Sequence, residues 1–314
     1  MEVSRTLAVG TRLAFAALAI MACGCATKNY RKPIAGFQTA SAQVIVAAKN
    51  YYELANKVER DHYIDDRAAT GETINPKELQ MLGERFRAED IAVRLDALRV
   101  LADYGALLLQ LATSTAPQDV NTQVDGLSTS VGALSDRVSK LCTDCSVENQ
   151  KFKTAVGAVA SILKPILSHI VASKIEKGLD RNIINAEKPV SDLITALRDD
   201  LNSLYERRKQ AVGLALSEAT RAYNNEAKLG DAAHKDRLQV LAQQTKLAAD
   251  RVEQLPSASP DSALSAMDKA NRALVDFANK KKTPQTLAEL ADAVQAFAVQ
   301  AQHVGEAIRT LVQL

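Results

Sequence analysis

Tryptophan is absent from the 314 residues, and aromatic side chains make up only 4%. Glycine and proline are scarce too, at 13 and 8 residues, well below the roughly 12% usual for globular chains. Few aromatics and few turn residues exclude a fold of short strands joined by many tight turns. Alternating β-branched stretches never extend beyond a handful of residues, which removes the ordinary strand signal. One apolar segment, 154 to 173, is nearly long enough for the roughly 20 residues of a membrane-spanning helix, but Lys164 and Pro165 break it at its midpoint. Charge of one sign is not in excess either: the net charge is +2, and a nearly neutral chain with interspersed charges has no basic footprint for nucleic acid. What is abundant is Ala, Leu and Val, within a hydrophobic share of 47%. Long helices with thin, closely packed seams follow. The expected fold is all-α, an elongated multi-helix bundle with long coiled-coil-like antiparallel helices.

The missing motifs are equally informative. There is no G-x-S-x-G, no P-loop, no G-x-G-x-x-G after a strand and no H-E-x-x-H, so no nucleophile, general base or oxyanion donor is nominated. The four histidines, His62, His169, His234 and His303, lie far apart. "DHYIDD" (61 to 66) can bring Asp61, His62, Asp65 and Asp66 together, but a solvated helix end is the simpler reading. A protein that is not an enzyme, without cofactor or metal, is expected.

Only four cysteines are present, at 23, 25, 142 and 145. The first two close a segment in which Arg5 and Arg12 precede an apolar stretch from Leu13 to Ala22, too short to span a bilayer and laid out like a secretory signal. "AIMACGCAT" (19 to 27) then places a small residue directly before each cysteine. Here the chain resembles a bacterial lipoprotein precursor, a class in which the cysteine becomes the first mature residue and carries acyl chains. Two junctions fit. Ile20-Met21-Ala22-Cys23 has the better branched residue but a bulky Met21, whereas Ala22-Cys23-Gly24-Cys25 reads "GCAT". Cysteine parity favours Cys25 as the lipid anchor, with Cys23 as the alternative. Lipidation at Cys25 leaves Cys142 and Cys145 as a pair, while lipidation at Cys23 strands an odd thiol in an oxidising compartment. Ala26 follows Cys25, not the Asp that retains many such lipoproteins at the inner membrane. The resemblance implies a lipid-anchored protein of the bacterial cell envelope, at the outer membrane facing the periplasm.

Residues 1–24 are then a signal peptide. Losing its two arginines and one glutamate takes the net charge to +1. A tether is expected over 25–33 and an all-α domain over 34–314, with a possible sub-boundary at 256–261 in "LPSASPDS", the strongest loop signal of the chain. Phe37, Ser41, Val44, Ala48, Tyr51, Ala55, Val58 and His62 share one helix face. Leu95, Leu98, Leu101, Gly105, Leu108 and Leu111 form a second. Val120, Val124, Leu127, Val131, Leu134, Val138 and Leu141 step by four and three over three heptads. Their outward neighbours are Ser, Thr, Asp and Gly, so this seam belongs inside the chain's own bundle and not to a dimer zipper. Cys142 and Cys145 follow at a turn and can meet the roughly 4.4–6.8 Å between Cα atoms that a disulfide needs. So small a ring would contribute only about 2 kcal/mol. The context that a thiol redox site or a zinc site needs is missing.

Beyond that turn, "TAVGAVASILKPILSHIVAS" (154 to 173) is unusually apolar. Lys164 and Pro165 at its midpoint favour a central, buried bundle helix over a membrane span. Pro189 suits the first turn of the next helix, along which Val190, Ile194, Leu197, Leu201, Leu204, Ala211, Ala215 and Ala222 share a face to about Lys228. Gly230 and Asp231 interrupt it before Leu238, Leu241, Leu247, Val252 and Leu255 resume. Leu264, Met267, Leu274 and Phe277 mark one further helix. Thr283 caps the last, Pro284 opens it, and Leu287, Leu290, Val294, Phe297, Val304, Ile308 and Leu311 form its buried face. A contact protein of the envelope, working as scaffold, assembly factor or accessory subunit, fits this pattern, because long helices can recruit a partner helix. A membrane-active protein using 154–173, similar to elongated α-helical pore-forming toxins, and a carrier of an apolar ligand are the alternatives.

Overall fold

The computed structural model describes residues 25–83, 87–113, 117–141, 150–160, 175–229 and 235–313. Among these residues the chain is helical throughout, apart from short connections, and contains no strand. The helices are α1 (Cys25–Thr70), α2 (Pro76–Gly83), α3 (Ala88–Thr113) and α4 (Pro117–Lys140), then α5 (150–160). After these come α6 (Ile175–Ala227), α7 (Lys235–Gln254), α8 (Pro260–Asn279) and α9 (Pro284–Gln313). The all-α bundle expected from composition is what forms.

Helix α1 is the hub, with α3 and α9 packed along it, α4 on α3, and α8 joining α9 to α6. Neighbours joined by short loops run antiparallel, as polar cross-links show. Ser130 donates to Asp103 at 2.6 Å while Arg137 pairs with Asp96 at 2.8 Å, so residue numbers rise along α4 as they fall along α3. Helices α6 and α8, separated in the chain by α7, are antiparallel too: Ser191 donates to Asp268 and Asn202 to Asp261, at 2.6 and 3.2 Å. Helices α1 and α9 instead run parallel: Phe37 meets Phe297 with ring centroids 5.6 Å apart, and further along both helices Tyr51 and Ile308 border one apolar gap. A pair far apart in sequence is free of the short connection that forces antiparallel neighbours.

Most stripes read from the sequence are the faces that pack; the α7 stripe is an exception, with Leu238, Leu241 and Val252 half-buried and Leu247 exposed. All seven seam residues of α4 from Val120 to Leu141 are buried, against the chain's own α3. On α1, Phe37, Ser41, Val44, Ala48 and Tyr51 are buried. On α9, Leu290, Val294, Phe297, Val304, Ile308 and Leu311 are buried as well. The expected cap of α9 is present: Thr283 Oγ1 accepts from the Thr286 backbone N–H at 3.2 Å, and Thr286 Oγ1 accepts from the Thr283 N–H at 3.0 Å. This reciprocal pairing satisfies two orphan donors. At the other end of the bundle α1 stops at Gly71, whose φ of +70° lets the Glu72 N–H reach back to the Arg67 carbonyl at 3.0 Å.

Three boundaries differ from expectation. Residues 25–33, expected as a tether, are helical from Cys25 onward, with Pro33 inside α1. Tyr30 explains the difference, since its ring packs edge-on against Phe277 with centroids 4.8 Å apart and its hydroxyl donates to Asp180. Pro189 is likewise interior to a helix of 53 residues, not in its first turn. The backbone bond it removes frees the carbonyl of Asn185, an exposed residue whose carbonyl water can serve, which lowers the usual cost. The possible sub-boundary at 256–261 is a one-turn 3₁₀ helix, Leu255–Ala258, leading straight into α8. Leu255 and Ala258 are buried in one core cluster that runs from Tyr30 to Leu311, so no second domain begins there.

Candidate functional site

Among the polar side chains buried in the described core are two arginines, and both bear on α6. The first, Arg94 of α3, stands four residues before Leu98 on the apolar stripe and is fully buried. Its guanidinium grips Asp200 of α6 through Nε and Nη2, each at 2.7 Å, and Nη1 donates to the Asp90 carbonyl at 3.0 Å. The Tyr52 hydroxyl of α1 donates to Asp200 at 2.9 Å, and the Phe152 ring of α5 lies 4.9 Å from the guanidinium. Burial, reinforced by the Asp200 charge, pushes the Tyr52 phenol well above its ordinary value. A planar fork on a carboxylate is the geometry that best repays desolvation of both ions. This node fixes where α6 sits against α1, α3 and α5.

Just beyond it, α6 leaves the core. Its buried leucines and isoleucines run from Leu179 to Leu204, and between Leu204 and Leu255 no described residue belongs to the buried core cluster. Residues 205–227 extend about 35 Å at 1.5 Å per residue and pack chiefly against α7. The two form an antiparallel arm. Ala211 and Ala215 are half-buried and Ala248 is buried; such small side chains let the two backbones approach closely. Ala222 is exposed, so the α6 stripe ends before Lys228. Arg237 of α7 pairs with Glu226 of α6 at 3.3 Å near the tip. Five large apolar side chains on this arm face solvent: Leu214, Tyr223, Leu229, Val240 and Leu247, with Leu229 61% and Val240 57% exposed. Val240 and Leu247 are seven apart and share a face of α7.

The second arginine lies at the root of the arm. Arg208, four residues after Leu204, is 8% exposed. Its Nη2 donates to the Leu311 carbonyl in the last turn of α9 at 3.3 Å, and the Tyr51 ring lies 5.9 Å from the guanidinium. Its Nε and Nη1 have no hydrogen-bond partner, nor has the buried Tyr51 hydroxyl. Burial pulls the guanidinium below its ordinary value, Tyr51 opposes the shift and the like charge of Arg251 adds to it. The cleft beside Arg208, about 80 Å³ in volume, is lined by side chains from α1, α6, α7 and α9, among them Lys57, Asp61, Asp65 and Arg251.

Of the residues singled out in the sequence, Cys25 opens α1, while Cys23, Cys142 and Cys145 lie outside the described residues. Asp61 and Asp65 of "DHYIDD" line the root cleft. Among the described residues no group of His, Cys, Asp or Glu is arranged to hold a metal ion. Only 154–160 of the apolar segment 154–173 is described. There Val156, Val159 and Ala160 are buried while Thr154 and Ala158 are exposed, so this part has a solvent face and is not buried on all sides. Sequence reasoning missed Arg94, Asp200 and Arg208. Each is a charge on an otherwise apolar stripe, and that is the signal that finds them. Comparison with protein-family models, with curated proteins and with solved structures finds no match for this chain.

Proposed function

We propose that the protein is a lipid-anchored bundle of the bacterial cell envelope that acts by contact, with the α6–α7 arm as the element that engages a partner protein. The arm carries this reading. None of its described residues belongs to the main buried core cluster, yet it holds five of the exposed large apolar side chains, more than its own packing requires. An amphipathic partner helix is the occupant that suits it, laid along Val240 and Leu247 with Gln243 and Gln244 between them for polar contacts. The N-terminal acyl anchor on Cys25 would hold the bundle at the membrane, and the protein needs neither cofactor nor catalytic group for such work.

The carrier alternative receives little support. The apolar gap bordered by Val44, Ala48, Leu264, Ala301 and Val304 measures about 10 Å³, against roughly 300–1,000 Å³ for ligand pockets, and the larger clefts, about 380 Å³ beside Lys151, Asp199 and Asp200 and about 400 Å³ beside His303 and Glu306, carry charged side chains in their lining. The membrane-active alternative rests on 154–173, of which only 154–160 is described; no helix among the described residues is long and apolar enough to cross a membrane. The contact reading is tested with Val240→Ser/Leu247→Ser. Both side chains are exposed, so stability should change by no more than about 0.5 kcal/mol. Chemical cross-linking in intact cells should give a discrete higher-mass species with the wild type that the double variant loses. Equal cross-linking of both would take the arm out of the contact.

A further inference from the structure

Arg208 is a buried cation whose donors are not matched by acceptors. Nη2 has the Leu311 carbonyl, while Nε and Nη1 have nothing, and the neighbouring Tyr51 hydroxyl is buried without a partner too. An unmet buried donor is costly, more so when it is charged. Filling the space with a methionine-sized apolar side chain would avoid that cost altogether. Arg208 also lines a cleft of about 80 Å³, where roughly 10–15 Å³ already admits a water.

Two other cationic side chains, Lys57 and Arg251, and two carboxylates, Asp61 and Asp65, share the lining with Arg208. Cationic side chains therefore outnumber carboxylates in the lining, and Asp61 also pairs with Arg60 at 3.6 Å. Its remaining walls are apolar: Leu54, Val212, Ala215 and Leu311 among them. We propose that the cleft is a binding site for a small monocarboxylate group with a short apolar body, the carboxylate oxygens accepting from Arg208 and the body lying against the α1, α6 and α9 side chains. A monocarboxylate with a short body meets both the cationic excess and the apolar walls, whereas inorganic phosphate would leave the apolar walls without a partner. The guanidinium is also the planar donor that suits a carboxylate best. Because four helices contribute to the lining, an occupied site ties the root of the arm to the bundle body. This holds whether or not the arm docks a partner.

Acetate, propionate and butyrate, titrated into the full chain in detergent, should bind saturably, with propionate and butyrate tighter than acetate. They should also move an arginine Nε–H signal in a ¹H–¹⁵N spectrum that is missing from Arg208→Met. A short peptide ending in a free carboxylate, compared with its amidated form, tells a macromolecular carboxylate from a free one; binding of either source supports the site. In Arg208→Met the affinity should fall roughly ten- to a hundredfold, the loss expected for a charge-assisted bond. Should that variant fail to fold by circular dichroism, Lys57→Gln on the exposed rim should weaken binding severalfold with the fold intact. Saturable binding of none of these carboxylates, equal binding by wild type and variant, or tighter binding of inorganic phosphate than of any carboxylate would each overturn the assignment.

Discussion

Gly36 and Gly126 both lie inside helices, where glycine usually costs about 1 kcal/mol relative to alanine, yet their surroundings are opposite. A Cβ on Gly36 would come within 2.9 Å of Val294 Cγ1, while one on Gly126 would meet nothing within 4 Å. Val294 is a β-branched side chain on α9 with little freedom to yield. Gly126→Ala should accordingly stabilise by about 0.5–1 kcal/mol, and Gly36→Ala should destabilise by about 1 kcal/mol once overpacking outweighs the propensity gain. Urea melts of the two variants check both signs. The Arg94–Asp200 pair gives a sharper expectation. Arg94→Met strands a buried carboxylate and should cost about 3–5 kcal/mol, whereas Arg94→Met with Asp200→Leu should recover most of that loss. A double-mutant cycle measures the difference. The sequence contains the clue to this pair, since Arg94 falls four before Leu98 and Asp200 falls between Leu197 and Leu204 on an apolar face. Periodicity alone cannot say that the two charges meet across a separation of 106 positions, because pairing depends on which helices become neighbours.

Element by element, the stripes were legible because a helix that buries one face must repeat apolar residues at its own period. The α4 seam and the Thr283–Pro284 opening of α9 show this well. Helix ends were less legible. Pro33 and Pro189 look like boundaries, but tertiary packing carries the helix through each, and the lost backbone bond is too small a cost to stop it. The change from leucine to alanine after Leu204 marks where α6 leaves the core, a cue as readable as any proline. The arm beyond it has few buried contacts, so local opening should require little free energy. In native-state hydrogen exchange, amides of 213–247 should exchange well before those of α3 and α8, whose faces are buried at Leu98, Leu101, Leu264 and Leu274. Equal protection across the arm and the body would mean that the arm is held by contacts beyond α7.

For the molecule as a whole, the scarcity of aromatics concentrates their effect on stability. Tyr51, Tyr52 and Tyr104 are all buried, and burial is the leading cause that raises each phenol above its ordinary value. A raised folded-state value means that the unfolded chain loses its phenol protons first. Stability from these groups is therefore complete below about pH 10 and is lost as pH climbs toward the folded values. Each group should remove up to about 1.4 kcal/mol per pH unit in that window, so unfolding and phenolate absorbance should rise together in an alkaline titration. At the N-terminus the lipoprotein reading makes its own demand: radiolabelled palmitate should enter the wild type and Cys23→Ser but not Cys25→Ser. Label lost only from Cys23→Ser would move the anchor to the alternative cysteine. The central claim, that the arm is the contacting element of an anchored bundle, is met most directly by a photo-activatable residue placed singly at Val240, Leu247, Val46 or Val299 in living cells. All four positions are exposed, and only the first two lie on the arm. The account predicts one discrete adduct from Val240 and Leu247 and none from Val46 or Val299; adducts from the body positions with none from the arm would contradict it.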